Sequence, residues 1–202
     1  MRQIRRVSGV FEIQSEFETF LTKIKTKGAV FSMSKESTTR SVTTGAMIAA
    51  LYVALTLLAN AMGLSSGAIQ LRFSEALTIL PIFTPAAIPG VTIGCLLANL
   101  VTGGAPWDIL FGTLATLIGA AGTYLLRKHR VLAALPPIAA NTIIIPFVLR
   151  WAYDTPGSIP YLMLTVGIGE VLSCGVLGLG LAKVLEPYRK QIFCGGCTKS
   201  VE

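Results

Sequence analysis

The sequence has few charged residues: they make up 13% of its 202 positions, against 52% hydrophobic residues. An average soluble domain carries roughly 25% charged residues, so this composition excludes an ordinary soluble domain. The mean hydropathy of +0.68 likewise indicates an apolar chain. We therefore predict an integral membrane protein.

Residue types and motifs that support catalysis are also scarce. The single histidine, His129, stands among Arg127, Lys128 and Arg130, and we interpret it as a solvated loop residue. A serine or cysteine hydrolase within the membrane would have no base, and an H-E-x-x-H zinc motif is missing. A G-x-x-x-x-G-K-[ST] loop is missing too, so any ATP must be hydrolysed by another subunit. The chain is predicted not to be an enzyme.

Cysteine is limited to four residues. Cys194 and Cys197 have C-x-x-C spacing, but they supply only two of the four ligands of a zinc site. We interpret them as a reduced pair on a cytoplasmic tail, residues 191–202, and predict no metal site. Cys95 and Cys174 are interpreted as small apolar residues within membrane spans.

The first 32 residues carry six of the seventeen basic residues and no sustained apolar run. They therefore lack the hydrophobic region of a signal peptide. Two interpretations stay open: a short cytoplasmic extension, or a segment outside the mature protein, which the start-like Met33 favours. The net charge of +7 reflects this segment and the membrane flanks, so we predict no nucleic-acid partner.

Apolar runs predict an all-α bundle of six transmembrane helices, occupying residues 33–190. The first run is an uncharged stretch of about 20 residues, which at about 1.5 Å per residue crosses a hydrocarbon core of about 30 Å. The second is barely long enough. The predicted spans are residues 43–62, 73–83, 86–101, 108–126, 131–151 and 161–185.

The distribution of basic residues supports six spans rather than five. With six, only Arg72 and Arg150 fall outside, which agrees with the positive-inside tendency. With five, the basic clusters would lie on opposite sides. We therefore expect both termini in the cytoplasm of a cell-membrane protein. The inside residues would be Lys35, Arg40, Arg127, Lys128, Arg130, Lys183, Arg189 and Lys190.

Ala46, Ala50 and Ala54 recur every four residues in the first span. They lie on one face of a helix, where small side chains allow another helix to approach closely. Two interpretations compete: the ordinary alanine content of an apolar helix, and a docking face for another helix.

Isolated polar residues in apolar surroundings form the candidate solute site. A charged side chain at bilayer depth costs roughly 2.5–3.5 kcal/mol on insertion scales, so each needs a physical reason. Arg72 and Glu75 either pair at i,i+3 or line a polar pocket. Trp107 has the span-end position of an interfacial aromatic residue. The candidate substrate-binding residues are Arg72, Glu75, Asn99, Trp107, Asp108, Asn141 and Glu170.

Several motifs resemble the queuosine-precursor transporter family in the same order. They are GAIQLRFSEALTILP, PAAIPG, GCLLANL, WDILFGTLATL, LPPIAAN and VGIGE, and the resemblance covers about residues 43–185. Members of this family are substrate-binding S components of energy-coupling-factor (ECF) transporters. The resemblance does not cover residues 1–32 or the cysteine-containing tail.

The resemblance implies a six-helix S component that captures a 7-deazaguanine-type precursor from outside. It would dock on a separate transmembrane T component and two cytoplasmic ATPases, whose ATP hydrolysis drives uptake. The chain itself would need no cofactor. The resemblance also favours the docking role of Ala46, Ala50 and Ala54.

For such a guest, Glu75 or Glu170 would accept hydrogen bonds from the ring amide and exocyclic amine. Asn99 or Arg72 would donate to the carbonyl, and Asp108 would balance an aminomethyl cation. Whether the guest is the nitrile or the aminomethyl precursor stays open. The alternatives are an S component for another nucleobase or a vitamin, a non-transport membrane scaffold, and an intramembrane enzyme of queuosine-like metabolism, disfavoured by the missing motifs.

Overall fold

The computed structural model describes residues 35–63 and 72–193. The predicted extension 1–32, the loop over 64–71 and the tail with Cys194 and Cys197 lie outside the described residues. The chain divides into two compact units, Met1–Arg40 and Ser41–Glu202. Of the first unit, the structure describes only the start of one helix. The second unit contains the rest of that helix and all the other described elements.

The described residues form helices and no strands, which confirms the all-α prediction. A long 3₁₀ helix and a π-helical stretch interrupt the α-helices. The elements are α1 (Lys35–Ala61), a 3₁₀ helix (Phe73–Ile82), α2 (Ala87–Val101), α3 (Pro106–Leu125), α4 (Arg130–Ala133), α5 (Leu135–Ala152), α6 (Ile159–Glu170), a π-helical stretch (Val171–Gly178), α7 (Leu179–Leu185), a 3₁₀ turn (Glu186–Tyr188) and α8 (Arg189–Phe193).

Four helical stretches are long and apolar enough to cross a membrane: Thr39–Ala61, Pro106–Leu125, Arg130–Ala152 and Ile159–Tyr188. The second and third predicted spans are shorter helices. Ten residues of 3₁₀ helix rise only about 20 Å, less than a hydrocarbon core of about 30 Å. Six crossings and the orientation of the termini therefore stay predictions.

The surface of these helices is apolar. Large hydrophobic side chains such as Leu51, Leu100, Leu125, Trp151 and Val184 are at least half exposed. Together, these side chains form a large apolar surface, which soluble proteins rarely expose to water. A surface of this kind is compatible with a lipid environment. The fold is therefore that of a membrane protein.

Small residues bring α1 and α2 into direct contact. A side-chain carbon added at Gly94 would lie 2.7 Å from Tyr52 Cβ and 3.0 Å from the Ala49 carbonyl oxygen, closer than atoms can pack. Because Gly94 has no side chain, Tyr52 packs directly against the backbone of α2. On the other side of α1, Ala46, Ala50 and Ala54 are all exposed.

A tight turn joins α2 to α3. Gly103 has φ +73°, a left-handed conformation that glycine adopts without steric cost. The amide of Gly104 donates to the Asn99 carbonyl at 2.9 Å, and α3 then starts with Pro106, whose missing N–H is not needed at a helix start. This turn brings Asn99, at the end of α2, close to Asp108, at the start of α3.

Candidate functional site

A polar cavity of about 340 Å³ lies at the end of the bundle where α1, α2 and α5 finish and the 3₁₀ helix and α3 begin. Its volume lies within the range of about 300–1,000 Å³ that is usual for small-molecule sites. The lining residues are Tyr52, Thr56, Ala59, Asn60, Arg72, Ser74, Asn99, Thr102, Gly103, Gly104, Asp108, Leu149, Tyr153 and Thr155.

Arg72 supplies the positive charge of the cavity. It is half-buried directly before the 3₁₀ helix and forms no salt bridge with any residue the structure describes. Burial alone would lower the pKa of Arg72, but the carboxylates of Asp108 and Glu75 outweigh it and raise that pKa. Arg72 therefore stays a cation that is not paired with a carboxylate among the described residues. The i,i+3 ion pair with Glu75, one of the two predicted alternatives, is not formed.

Asp108 is held in place by Tyr153. The Tyr153 hydroxyl donates to Asp108 Oδ2 at 3.0 Å and accepts from the Ala105 amide at 3.0 Å. Burial raises the pKa of Tyr153, and the charge of Asp108 acts in the same direction, so the phenol stays a neutral donor. Asn99 joins this group because a side-chain carbon at Gly112 would lie 3.2 Å from Asn99 Nδ2 and 3.5 Å from Asp108 Oδ1.

A second polar group lies deeper in the bundle. Glu75 is 1% exposed, and its Oε1 accepts a 2.6 Å hydrogen bond from the Tyr52 hydroxyl. One carboxylate oxygen of Glu75, one of Glu170 and the Sγ atom of Cys174 all lie within 4.8 Å of one another. Asn141 lies beside both carboxylates. Cys174 Sγ donates to Glu170 Oε2 at 3.3 Å.

Not every polar atom in this region has a partner. Glu75 Oε2 and Ser74 Oγ are buried and form no hydrogen bond with a described residue. Such atoms are rare in folded proteins because each has lost its hydrogen bonds to water. The cavity and the carboxylates therefore offer unused hydrogen-bonding capacity to a guest.

Six of the seven predicted site residues fall in these two neighbouring groups. Arg72, Asn99 and Asp108 line the cavity, whereas Glu75, Asn141 and Glu170 lie in the deeper group. Trp107 does not line the cavity: its side chain is 60% exposed and lies in an apolar groove, with its ring centroid 6.0 Å from that of Phe111. Its predicted binding role gains no support.

Sequence reasoning missed Tyr52, Ser74 and Tyr153, which line the cavity. Tyrosine and serine in apolar helices carry no charge that draws attention to them. Tyr52 and Glu75 are 23 residues apart, and Tyr153 and Asp108 are 45 residues apart, so no local spacing links them. Only the general rule that a buried hydroxyl needs a partner singles them out.

Two comparisons connect the chain with known proteins. The sequence profile of the family described as QueT transporter matches residues 42–187. The chain is also 40% identical, over 85 residues, to a protein of Lactococcus lactis subsp. cremoris (strain MG1363) named "Queuosine precursor transporter QueT". That alignment covers 42% of this chain and spans about half, 49%, of the relative's length. No solved structure matches the chain.

Proposed function

Because the chain belongs to the QueT transporter family, we propose that it is the S component of an ECF importer and captures a queuosine precursor of the 7-deazaguanine type from outside. The observation that carries this proposal is the cavity itself: Arg72, Asn99 and Asp108 converge on an open polar space within an apolar bundle. Ionisable groups at membrane depth commonly mark a solute pathway.

Polar atoms that have no hydrogen-bond partner among the described residues support capture of a solute rather than a scaffold role. In a scaffold, the polar residues would satisfy one another. Here Glu75 Oε2 and Ser74 Oγ have no partner among the described residues, and Arg72 has no salt bridge there. A small guest with both donors and acceptors would complete these bonds.

The direction of the helices supports an outward-facing cavity. Asp108 lies at the start of α3, on the cavity side, and Arg127 to Arg130 follow the far end of the same helix. Arg130 Nη2 lies 2.7 Å from Glu186 Oε1, so the basic cluster and the last helices meet at that far end. With basic residues inside the cell, the cavity opens outward and both termini are cytoplasmic.

The exposed face of α1 supports docking on a T component. Ala46, Ala50 and Ala54 are exposed, although neighbouring positions Ala49 and Tyr52 are buried against the chain's own core. Small side chains on a free helix face allow close helix contact within a bilayer. Two ATPases on that partner would supply the energy, so this chain would need no cofactor.

Binding and co-purification test the proposal together. We expect the purified chain to bind a queuosine precursor of the 7-deazaguanine type, either the nitrile or the aminomethyl compound. Isothermal titration should show a saturable heat of binding. Vitamins and nucleobases that lack the adjacent ring amide and exocyclic amine, added as competitors, should not displace it. Affinity purification from native membranes should recover a T component and two ATPases. Failure of both precursors to bind, with displacement or binding by a vitamin instead, would contradict the proposed substrate.

A further inference from the structure

Two carboxylates lie side by side in the interior, and neither is paired with a cation in the part of the chain that the structure describes. Glu75 is 1% and Glu170 6% exposed, and their ligand atoms lie within 4.8 Å of each other. Neither forms a salt bridge with a lysine or arginine among the described residues. Like charges repel strongly at this separation in a medium of low dielectric constant. The pair therefore shares a proton, or needs hydrogen-bond donors or a positive charge that arrives from elsewhere.

The chain's own donors satisfy this pair only in part. Tyr52 donates to Glu75 Oε1 at 2.6 Å, and Cys174 donates to Glu170 Oε2 through a long bond of 3.3 Å from a weak thiol donor. Asn141 lies beside both carboxylates. Glu75 Oε2 is left without a partner among the described residues. One strong acceptor therefore lacks a donor within residues 35–63 and 72–193.

Tyr52 stands between this pair and the cavity. Its side chain lines the cavity, and its hydroxyl holds Glu75. Ser74, the residue before Glu75, also lines the cavity, and its buried hydroxyl has no described partner. A guest that replaces the Tyr52 hydroxyl at Glu75 would thus reach the carboxylates directly from the cavity.

We propose that Glu75 and Glu170 together bind the N–H edge of the captured heterocycle, and that Tyr52 releases its hydrogen bond to Glu75 when the guest enters. This rests on the proposed function, because it assigns an orientation within the same site. A ring amide and an adjacent exocyclic amine present N–H donors side by side, and ionised carboxylates only accept. The opposite end of the guest then faces Arg72 and Asp108.

This arrangement makes the pair a determinant of specificity. A carbonyl edge turned toward the pair would meet mostly acceptor oxygens and be disfavoured. An analogue that lacks the exocyclic amine would leave a buried carboxylate oxygen unpaired, and sites of this kind discriminate strongly against such analogues. The affinity difference caused by that amine must therefore depend on the two glutamates.

Titration with two ligands and matched variants tests the inference. The full chain in lipid nanodiscs is titrated with 7-deazaguanine and with 7-deazahypoxanthine, which lacks only the exocyclic amine. We expect 7-deazahypoxanthine to bind the unsubstituted chain roughly 10- to 150-fold more weakly than 7-deazaguanine does, which is the range for a hydrogen bond to a charged group. In Glu75→Gln or Glu170→Gln that ratio should fall to roughly 2- to 13-fold, the range for a neutral hydrogen bond, because an amide oxygen is an uncharged acceptor.

Glu186→Gln is the matched control. Glu186 lies at the far end of the bundle, where its side chain is 34% exposed and paired with Arg130. The same chemical change there should leave both affinities and their ratio unchanged. Unfolding temperatures identify any variant that fails to fold, and since the two glutamates lie on different helices, the second variant then carries the test.

Tyr52→Phe tests the role of the hydroxyl. If the guest replaces this hydroxyl at Glu75, its removal should raise the affinity for 7-deazaguanine, because the guest no longer has to break the Tyr52–Glu75 hydrogen bond. A loss of more than about tenfold, the scale of a lost hydrogen bond, would show that Tyr52 binds the guest and would overturn its release.

The inference and the proposed function fail in different ways. Suppose that 7-deazaguanine binds but its affinity equals that of 7-deazahypoxanthine in the unsubstituted chain, or that the difference persists in both glutamine variants. The proposed role of the two glutamates is then overturned, whereas the proposed function stands. If neither precursor nor 7-deazaguanine binds, the function itself fails. Saturable Zn²⁺ binding that both variants abolish, without any amine dependence, would assign the pair to a metal ion instead.

Discussion

Tyr153 Oη lies 3.0 Å from Asp108 Oδ2 and donates a hydrogen bond to it in the wall of the cavity. The same hydroxyl accepts from the Ala105 amide, so it ties the end of α5 to the start of α3. This contact fixes the position of the negative group in the cavity lining. The carboxylate is thus oriented before any guest arrives.

Replacing Asp108 tests whether it balances a cationic substituent. We expect Asp108→Asn to weaken binding of the aminomethyl precursor by roughly 10- to 150-fold, since a hydrogen bond to a charged group is worth about 1.5–3 kcal/mol. Binding of the nitrile precursor should change far less. Titration of both ligands gives the comparison, and equal losses would remove Asp108 from contact with the substituent.

Tyr153→Phe should weaken binding of the aminomethyl precursor less than Asp108→Asn does. It removes one neutral donor, worth about 0.5–1.5 kcal/mol, and leaves the carboxylate charge in place. We expect a loss of roughly 2- to 13-fold, measured by the same titration. Tyr161→Phe, which removes a hydroxyl outside the cavity lining, is the control. A larger loss than in Asp108→Asn would indicate direct contact between Tyr153 and the guest.

Enlarging Ala50 tests the docking face on α1. Ala50→Trp should abolish uptake in cells that supply a T component and ATPases, because the bulky side chain prevents close helix contact. Precursor binding by the isolated chain should persist, since Ala50 is exposed. Ala139→Trp, at an exposed alanine on α5, should retain uptake. Uptake by the Ala50 variant at the parental rate would contradict the docking role.

Adding one carbon at Gly94 tests the contact between α1 and α2. Gly94→Ala places Cβ 2.7 Å from Tyr52 Cβ, so we expect destabilisation of about 1–3 kcal/mol, as for other overpacked cores. Thermal unfolding in detergent measures the shift. Gly180→Ala is the matched control, because a carbon there meets nothing within 4 Å and alanine is the better helix former. Equal unfolding temperatures for the two variants would refute the contact.

Much of the helical architecture was predictable because hydropathy is a local property. The predicted span 86–101 compares with the observed helix Ala87–Val101, and the predicted span 108–126 compares with Pro106–Leu125. The resemblance based on short motifs is confirmed by the family profile over residues 42–187. The long 3₁₀ helix and the π-helical stretch were not foreseen, because propensity distinguishes poorly between helix types.

The charged residues of the candidate site were predictable from the sequence, but its neutral members and its arrangement were not. Charge in an apolar run singled out Arg72, Glu75, Asp108 and Glu170, because the cost of burying charge is readable from sequence. Uniformly apolar helices give no signal of their rotation, so Trp107 was grouped with residues that it does not join. Neutral partners such as Tyr52 were missed because they carry no charge and lie far along the chain from the groups they bind.

The sequence by itself determined that this is a helical membrane protein with polar groups that require partners, since hydropathy and charge are properties of neighbouring residues. Only the tertiary structure decided which partners they find. It places Glu75 beside Tyr52, 23 residues away, and next to Cys174, 99 residues away. Such contacts depend on how the helices rotate and pack, and packing is fixed by the shapes of side chains from distant parts of the chain.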